Sequence, residues 1–129
     1  MKYLLDANAV IALLNGKSKV MERVRQYLPS DIGISSIVVH ELFYGAFKSQ
    51  RSETNVALVD CLQFEVVDFD KEDARCAGEI RSVLAADGKP VGPYDVLIAG
   101  QAYTRGLVLV THNVGEFERV AGLHIEDWE

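Results

Sequence analysis

The chain has 129 residues, 49% of them apolar, and a formal net charge of −6. That length fits one domain, residues 1–129, with a core of its own, and it holds no run of about 18 uncharged apolar residues that would cross a membrane. The acidic balance argues against a protein held to a polyanion by bulk charge. The opening MKYLLDANAVIALLNG is interrupted by Asp6 and does not read as a signal peptide. The two cysteines, Cys61 and Cys76, are expected to be reduced and buried, in a cytoplasmic protein. The charge is uneven. Residues 1–51 carry seven Lys/Arg and four Asp/Glu, and residues 52–129 carry six and fifteen. Lys17, Lys19, Arg23, Arg25, Lys48 and Arg51 form a candidate basic region that would guide RNA in a salt-sensitive way, and solvated helix faces are the plain alternative.

Tyr3-Leu4-Leu5 reads as a buried strand ending at Asp6, and Ala9 to Leu14 as a short helix stopped by Asn15-Gly16. Lys17 to Leu28 has the apolar spacing of a helix closed by Pro29. Ile32 to Ile34 reads as a second strand. Ser35-Ser36 can cap a helix from Ile37 to about Ser49. A helix over Glu53 to Leu62, a β-rich stretch over Phe64 to Phe69 and a long amphipathic helix over Lys71 to Ala86 follow. Gly92 and Pro93 then open a helix that carries Asp95 in its first turn. Leu107 to Thr111 has no polar alternation and reads as a strand buried on both faces. A short helix near Glu116 and a last strand around His124-Ile125 close the chain. Strands alternating with helices imply an α/β domain on a mostly parallel sheet, with its site at the carboxyl ends of the strands. Asp6 and the group Thr111-His112-Asn113 fall at that edge.

Four acids stand in apolar settings: Asp6 in YLLDANAVI, Glu41 in SSIVVHELFYGA, Asp95 in PYDVLIAG and Glu116 in HNVGEFERV. Singly, each has an ordinary explanation. Asp95 alone reads as an acid favoured by the helix dipole. As a set they would repel one another and raise their own pKa values, and a divalent cation removes that conflict. Oxygen-only ligation suits Mg²⁺ or Mn²⁺, and the natural chemistry is phosphodiester hydrolysis by one or two ions. Asn8 and Asn113 are neutral groups able to orient water or carboxylates, with Thr111 beside them. His40 lacks the second histidine of a zinc HExxH motif, and GKPVGP is not a phosphate-binding loop. Tyr44 and Phe47 suit packing against a neighbouring chain better than base stacking, and Trp128 suits the core.

The blocks LLDANAVIALL, SSIVVHELFYGA, GKPVGPYDVLIAGQA, RGLVLVTHNVGEFERVAGL and IEDW resemble, in order and over essentially the whole chain, the PIN-domain ribonucleases of the VapC-type toxins. The resemblance implies a parallel sheet of about five strands flanked by helices. It implies that Asp6, Glu41 and Asp95 are metal-binding acids and that Glu116 is the less regular fourth one. It implies a Mg²⁺- or Mn²⁺-dependent endoribonuclease, a homodimer, and a VapB-type antitoxin whose tail enters the acidic site. The run PVGPYD…RGLV…EFERV…EDW is similar to the branch that cuts initiator tRNA in its anticodon stem-loop. Two positions depart from the family pattern. Ala7 stands where threonine is usual, and Asn113 where other branches have aspartate. Ala7 keeps a second reading in view, a non-catalytic module that binds RNA or antitoxin.

Overall fold

The computed structural model describes residues 1–129. Its five strands form one sheet in the order β3-β2-β1-β4-β5. They are β1 (Tyr3–Leu5), β2 (Ile32–Ser35), β3 (Glu65–Val67), β4 (Val108–Val110) and β5 (Ile125–Glu126). Every pairing is parallel, with Leu4 opposite Gly33 on one side and Leu109 on the other. The α/β expectation is therefore met, and the sheet is wholly parallel. Seven helices cover it: α1 (Ala7–Leu14), α2 (Ser18–Arg25), α3 (Ser36–Lys48), α4 (Ser52–Asp60), α5 (Lys71–Ala86), α6 (Pro93–Thr104) and α7 (Val114–Phe117). None is long and apolar enough to cross a membrane.

The strand order reverses at β1. The chain leaves β1 towards β2 and later returns to pair β4 on its other side. Helices following the two strands diverge there, which opens a crevice at their carboxyl ends. Asp6 ends β1, and its N–H bonds Val110 O across that point at 2.9 Å.

Local chemistry sets the helix starts. Asp6 caps α1, so that helix begins at Ala7, two residues earlier than periodicity indicates. Ser35 Oγ accepts from Ile37 N at 3.1 Å and starts α3. Asp70 and Asp73 form a reciprocal capping box on α5. Gly92 and Pro93 start α6. α2 stops at Arg25, short of Leu28, because a 3₁₀ turn at Pro29–Asp31 follows.

The core gathers Leu4, Leu5, Ile34, Val38, Ile98, Leu109 and Phe117 between sheet and helices. Trp128 joins it as expected, at 3% exposure, stacked on Tyr27. Both cysteines are free, as expected, but they are not buried: Cys61 is exposed and Cys76 half-buried. Helices α5 and α6 touch backbone to backbone. A Cβ at Gly100 would lie 2.6 Å from the Ala77 backbone, so only glycine fits there.

A fully buried acid, Asp73, stands in the first turn of α5. Arg105 grips it with two N–H groups, Nε to Oδ1 at 3.1 Å and Nη2 to Oδ2 at 2.9 Å. Gln101 Nε2 donates to the same carboxylate and to the carbonyls of Val67 and Asp68, each at 3.2 Å. This network ties α5, α6 and the end of β3 together.

Candidate active site

Asp6 is 4% exposed and sits where β1 becomes α1. Its carboxylate accepts from Ala7 N at 2.9 Å, Asn8 Nδ2 at 3.2 Å and Thr111 Oγ1 at 2.9 Å. Burial pushes its pKa above the usual aspartate range, against the pull of those three donors. Thr111, fully buried just beyond β4, links the two strand ends. Its hydroxyl donates to Asp6 and accepts from Asn113 N at 3.0 Å. Asn8 Oδ1 accepts from His112 N at 3.1 Å and closes the ring. Asp6 thus keeps a hydroxyl donor although position 7 is alanine, because Thr111 supplies one from the neighbouring strand.

Glu41 lies beside the buried stripe Val38, Leu42 and Ala46 of α3. Its Oε1 is buried and has no hydrogen-bond partner. Its pKa is pushed up to about 7, first by burial and then by the charges of Asp6 and Asp95. Asp95 is half-buried in the first turn of α6, ahead of Val96, Ile98 and Ala99 in the core. Burial, and then the charges of Asp6 and Glu116, push it up to about 6. Three elements from distant parts of the chain therefore bring three carboxyls close enough to disturb one another.

Glu116 behaves differently. Gly92 N donates to its Oε1 at 2.6 Å, and Asn113 Nδ2 donates to its Oε2 at 2.8 Å. The Gly92 N–H first, and Asn113 next, hold its carboxyl below the usual glutamate range. Gly92 has extended backbone that any residue adopts, but a Cβ there would come 3.1 Å from Asp95 Oδ2. Its hold on Glu116, 24 residues away, leaves no trace in the local sequence pattern.

The set has the donors of a hard-cation site. Glu41 supplies an orphaned buried oxygen, Asp6 and Asp95 supply carboxylates whose charges oppose it, and no Lys or Arg pairs with any of the three. No three of the acids bring oxygens within 4.8 Å of one another.

A PIN domain matches residues 3–123. The chain belongs to the PIN-domain family. It is 45% identical to the tRNA(fMet)-specific endonuclease VapC of Salmonella typhimurium, across 99% of this chain and 98% of that one. It is 42% identical to the protein of the same name from Shigella flexneri and 37% identical to ribonuclease VapC2 of Haemophilus influenzae, with the same coverage. The crystal structure of DNA-bound VapBC from Salmonella typhimurium contains a chain that superposes with a TM-score of 0.94 at 45% identity, covering 100% of this chain and 99% of that one. VapBC2 from Rickettsia felis, bound to a fragment of its promoter, gives 0.92 at 34% identity, with both chains fully covered.

The basic residues of this PIN domain come from two places in the fold. Lys17, Lys19, Arg23 and Arg25 lie along α2, and Lys48 and Arg51 at the junction of α3 and α4. Arg23 pairs with Glu126 at 2.8 Å at the surface and lies 5.2 Å from the Trp128 ring. Lys48 sits 5.6 Å from the exposed ring of Tyr44. His112 turns its ring away to the exposed acids Asp127 and Glu129, at 3.1 and 3.8 Å. Only its backbone serves the PIN-domain site, through Asn8.

Proposed function

We propose that the chain is a divalent-metal-dependent endoribonuclease, the toxin of a toxin–antitoxin pair, acting on tRNA. The observation that carries this reading is Glu41 Oε1, a buried carboxylate oxygen without a donor beside two other acids. A buried charge left unpaired is strongly unfavourable, and a fold gains nothing from keeping one. Asp6, Glu41 and Asp95 would hold Mg²⁺ or Mn²⁺, one ion or two, with Glu116 flanking them. When bound, the metal supplies Lewis acidity towards a phosphate oxygen and makes water acidic enough to act as a nucleophile near neutral pH.

The chain's own residues supply the preorganisation. Thr111 and Asn8 fix the Asp6 carboxylate in one orientation. Gly92 and Asn113 hold Glu116 ionised at the rim. The packed start of α6 aims Asp95, which is why an acid stands at the mouth of a buried helix. The relatives in Salmonella and Shigella are named for tRNA(fMet), and we extend that substrate to this chain, with cleavage in the anticodon stem-loop. The related structures are VapBC complexes, which supports a VapB-type antitoxin as partner, and we add a homodimer as the working assembly.

Total tRNA incubated with the antitoxin-free protein tests the reading. One discrete product with Mg²⁺ and none with EDTA is expected, and the end of that product names the cut. Cleavage that persists in EDTA, or that is unchanged in Asp95→Asn, would remove the proposed mechanism.

A further inference from the structure

His40 and Tyr94 each stand immediately before a site acid, Glu41 on α3 and Asp95 on α6. Their rings meet across the space between those helices, with centroids 5.7 Å apart and planes inclined by 55°. Both are exposed, and Tyr94 leaves 48% of its surface in water. An aromatic pair this open removes little area from solvent and contributes little to folding.

We propose that the His40–Tyr94 pair is a stacking platform for an unpaired RNA base next to the scissile phosphate. This rests on the ribonuclease reading given above. Position supports it first: α3 and α6 both carry an acid of the cluster, and the pair bridges the same two helices. Charge supports it next. The net charge of −6 gives the chain little bulk attraction for a polyanion, and bases stack on aromatic rings whatever the backbone charge. Unpaired loop bases splayed onto aromatic side chains are also the usual way single-stranded RNA is held. Rigidity supports it last. Tyr94 follows Pro93 in the first turn of a helix packed tightly against α5, so its backbone is held in place. Tyr44 and Phe47 are exposed too, but their ring contacts are a lysine and Phe43 of their own helix, not a residue of α6.

An anticodon stem-loop RNA with 2-aminopurine at successive loop positions tests the platform. The protein carries Asp6→Asn so that the strand stays whole in Mg²⁺. Quenching at one position is expected. Adding Tyr94→Ala should abolish the quenching and weaken binding about tenfold, while Tyr94→Phe keeps both. No quenched position, or quenching that survives Tyr94→Ala, would overturn the proposal. So would a loss confined to antitoxin binding, which would make the pair an antitoxin contact. Cleavage of the same RNA by the unsubstituted protein is scored separately. Cutting without quenching ends the platform and keeps the nuclease; quenching without cutting ends the nuclease and leaves only a base-binding surface, which overturns a platform beside a scissile phosphate.

Discussion

Asp6 and Asp73 are both buried, at 4% and 0% exposure, Asp6 just after β1 and Asp73 in the first turn of α5. Desolvation pushes both pKa values upward, as the first effect on each. Asp6 stays high, with three neutral donors around it and other acids beyond them. Asp73 ends below the usual range, because Arg105, the Asp70 N–H and Gln101 together outweigh burial. Burial alone therefore does not mark a functional acid. What marks it is whether the chain supplies the countercharge. Asp73 has its cation built in, and the cluster of Asp6, Glu41 and Asp95 does not.

Substitutions at the two places should separate them sharply. Asp95→Asn should lower RNA cleavage by more than about a hundredfold while the melting temperature holds, because losing a proposed metal ligand should cost more than losing a supporting contact. Asp73→Ala should do the opposite. Urea titration should show a loss of about 3 kcal/mol as the Arg105 charge is left beside a cavity, with Mg²⁺ affinity kept by the folded fraction. A stable Asp73→Ala protein without Mg²⁺ affinity would break the comparison. Thr111→Val should weaken Mn²⁺ binding about tenfold by calorimetry, because Asp6 loses the hydroxyl that orients it.

The smallest effects are in pH dependence, and their signs differ. The folded pKa of Asp73 lies below its unfolded value. Its stabilisation is therefore complete above about pH 4 and is lost as pH falls through the folded value. Acid denaturation of Asp73→Asn should be shallower. The folded pKa of Glu41 is raised to about 7, so the metal-free fold is favoured in acid and loses stability as pH rises through that value. Glu41→Gln should stabilise the metal-free protein at pH 8, by on the order of 1 kcal/mol after allowance for partial solvation. A destabilised variant would mean that Glu41 has a partner inside the chain.

The sequence made the cluster legible because Asp6, Glu41 and Asp95 interrupt apolar runs, where an acid is conspicuous. The alternation of elements likewise disclosed a parallel α/β domain, though not the strand order, which depends on pairings between distant segments. Asp73 escaped for the converse reason. In KEDARCAGEI it looks like one more solvated acid at a helix start, and the residue that pairs with it, Arg105, is 32 positions away. The link from Arg23 to Glu126 is equally hidden, since the two lie 103 positions apart. The cysteines went wrong because helical patterning indicates a face and not how deeply a neighbour covers it. His40 and Tyr94 were each ordinary until the fold brought their rings together.

The backbone contact between Gly100 and Ala77 has a consequence for inheritance. It makes the position of Asp95 depend on α5, a helix that carries none of the proposed ligands. Gly100→Ala would wedge the two helices apart and swing the start of α6, carrying Asp95 and Tyr94 with it. Mutations that silence this protein should therefore arise in a helix with no chemical duty as readily as at the acids. A survey of spontaneous escape variants should find Ala77 and Gly100 beside Asp6 and Asp95.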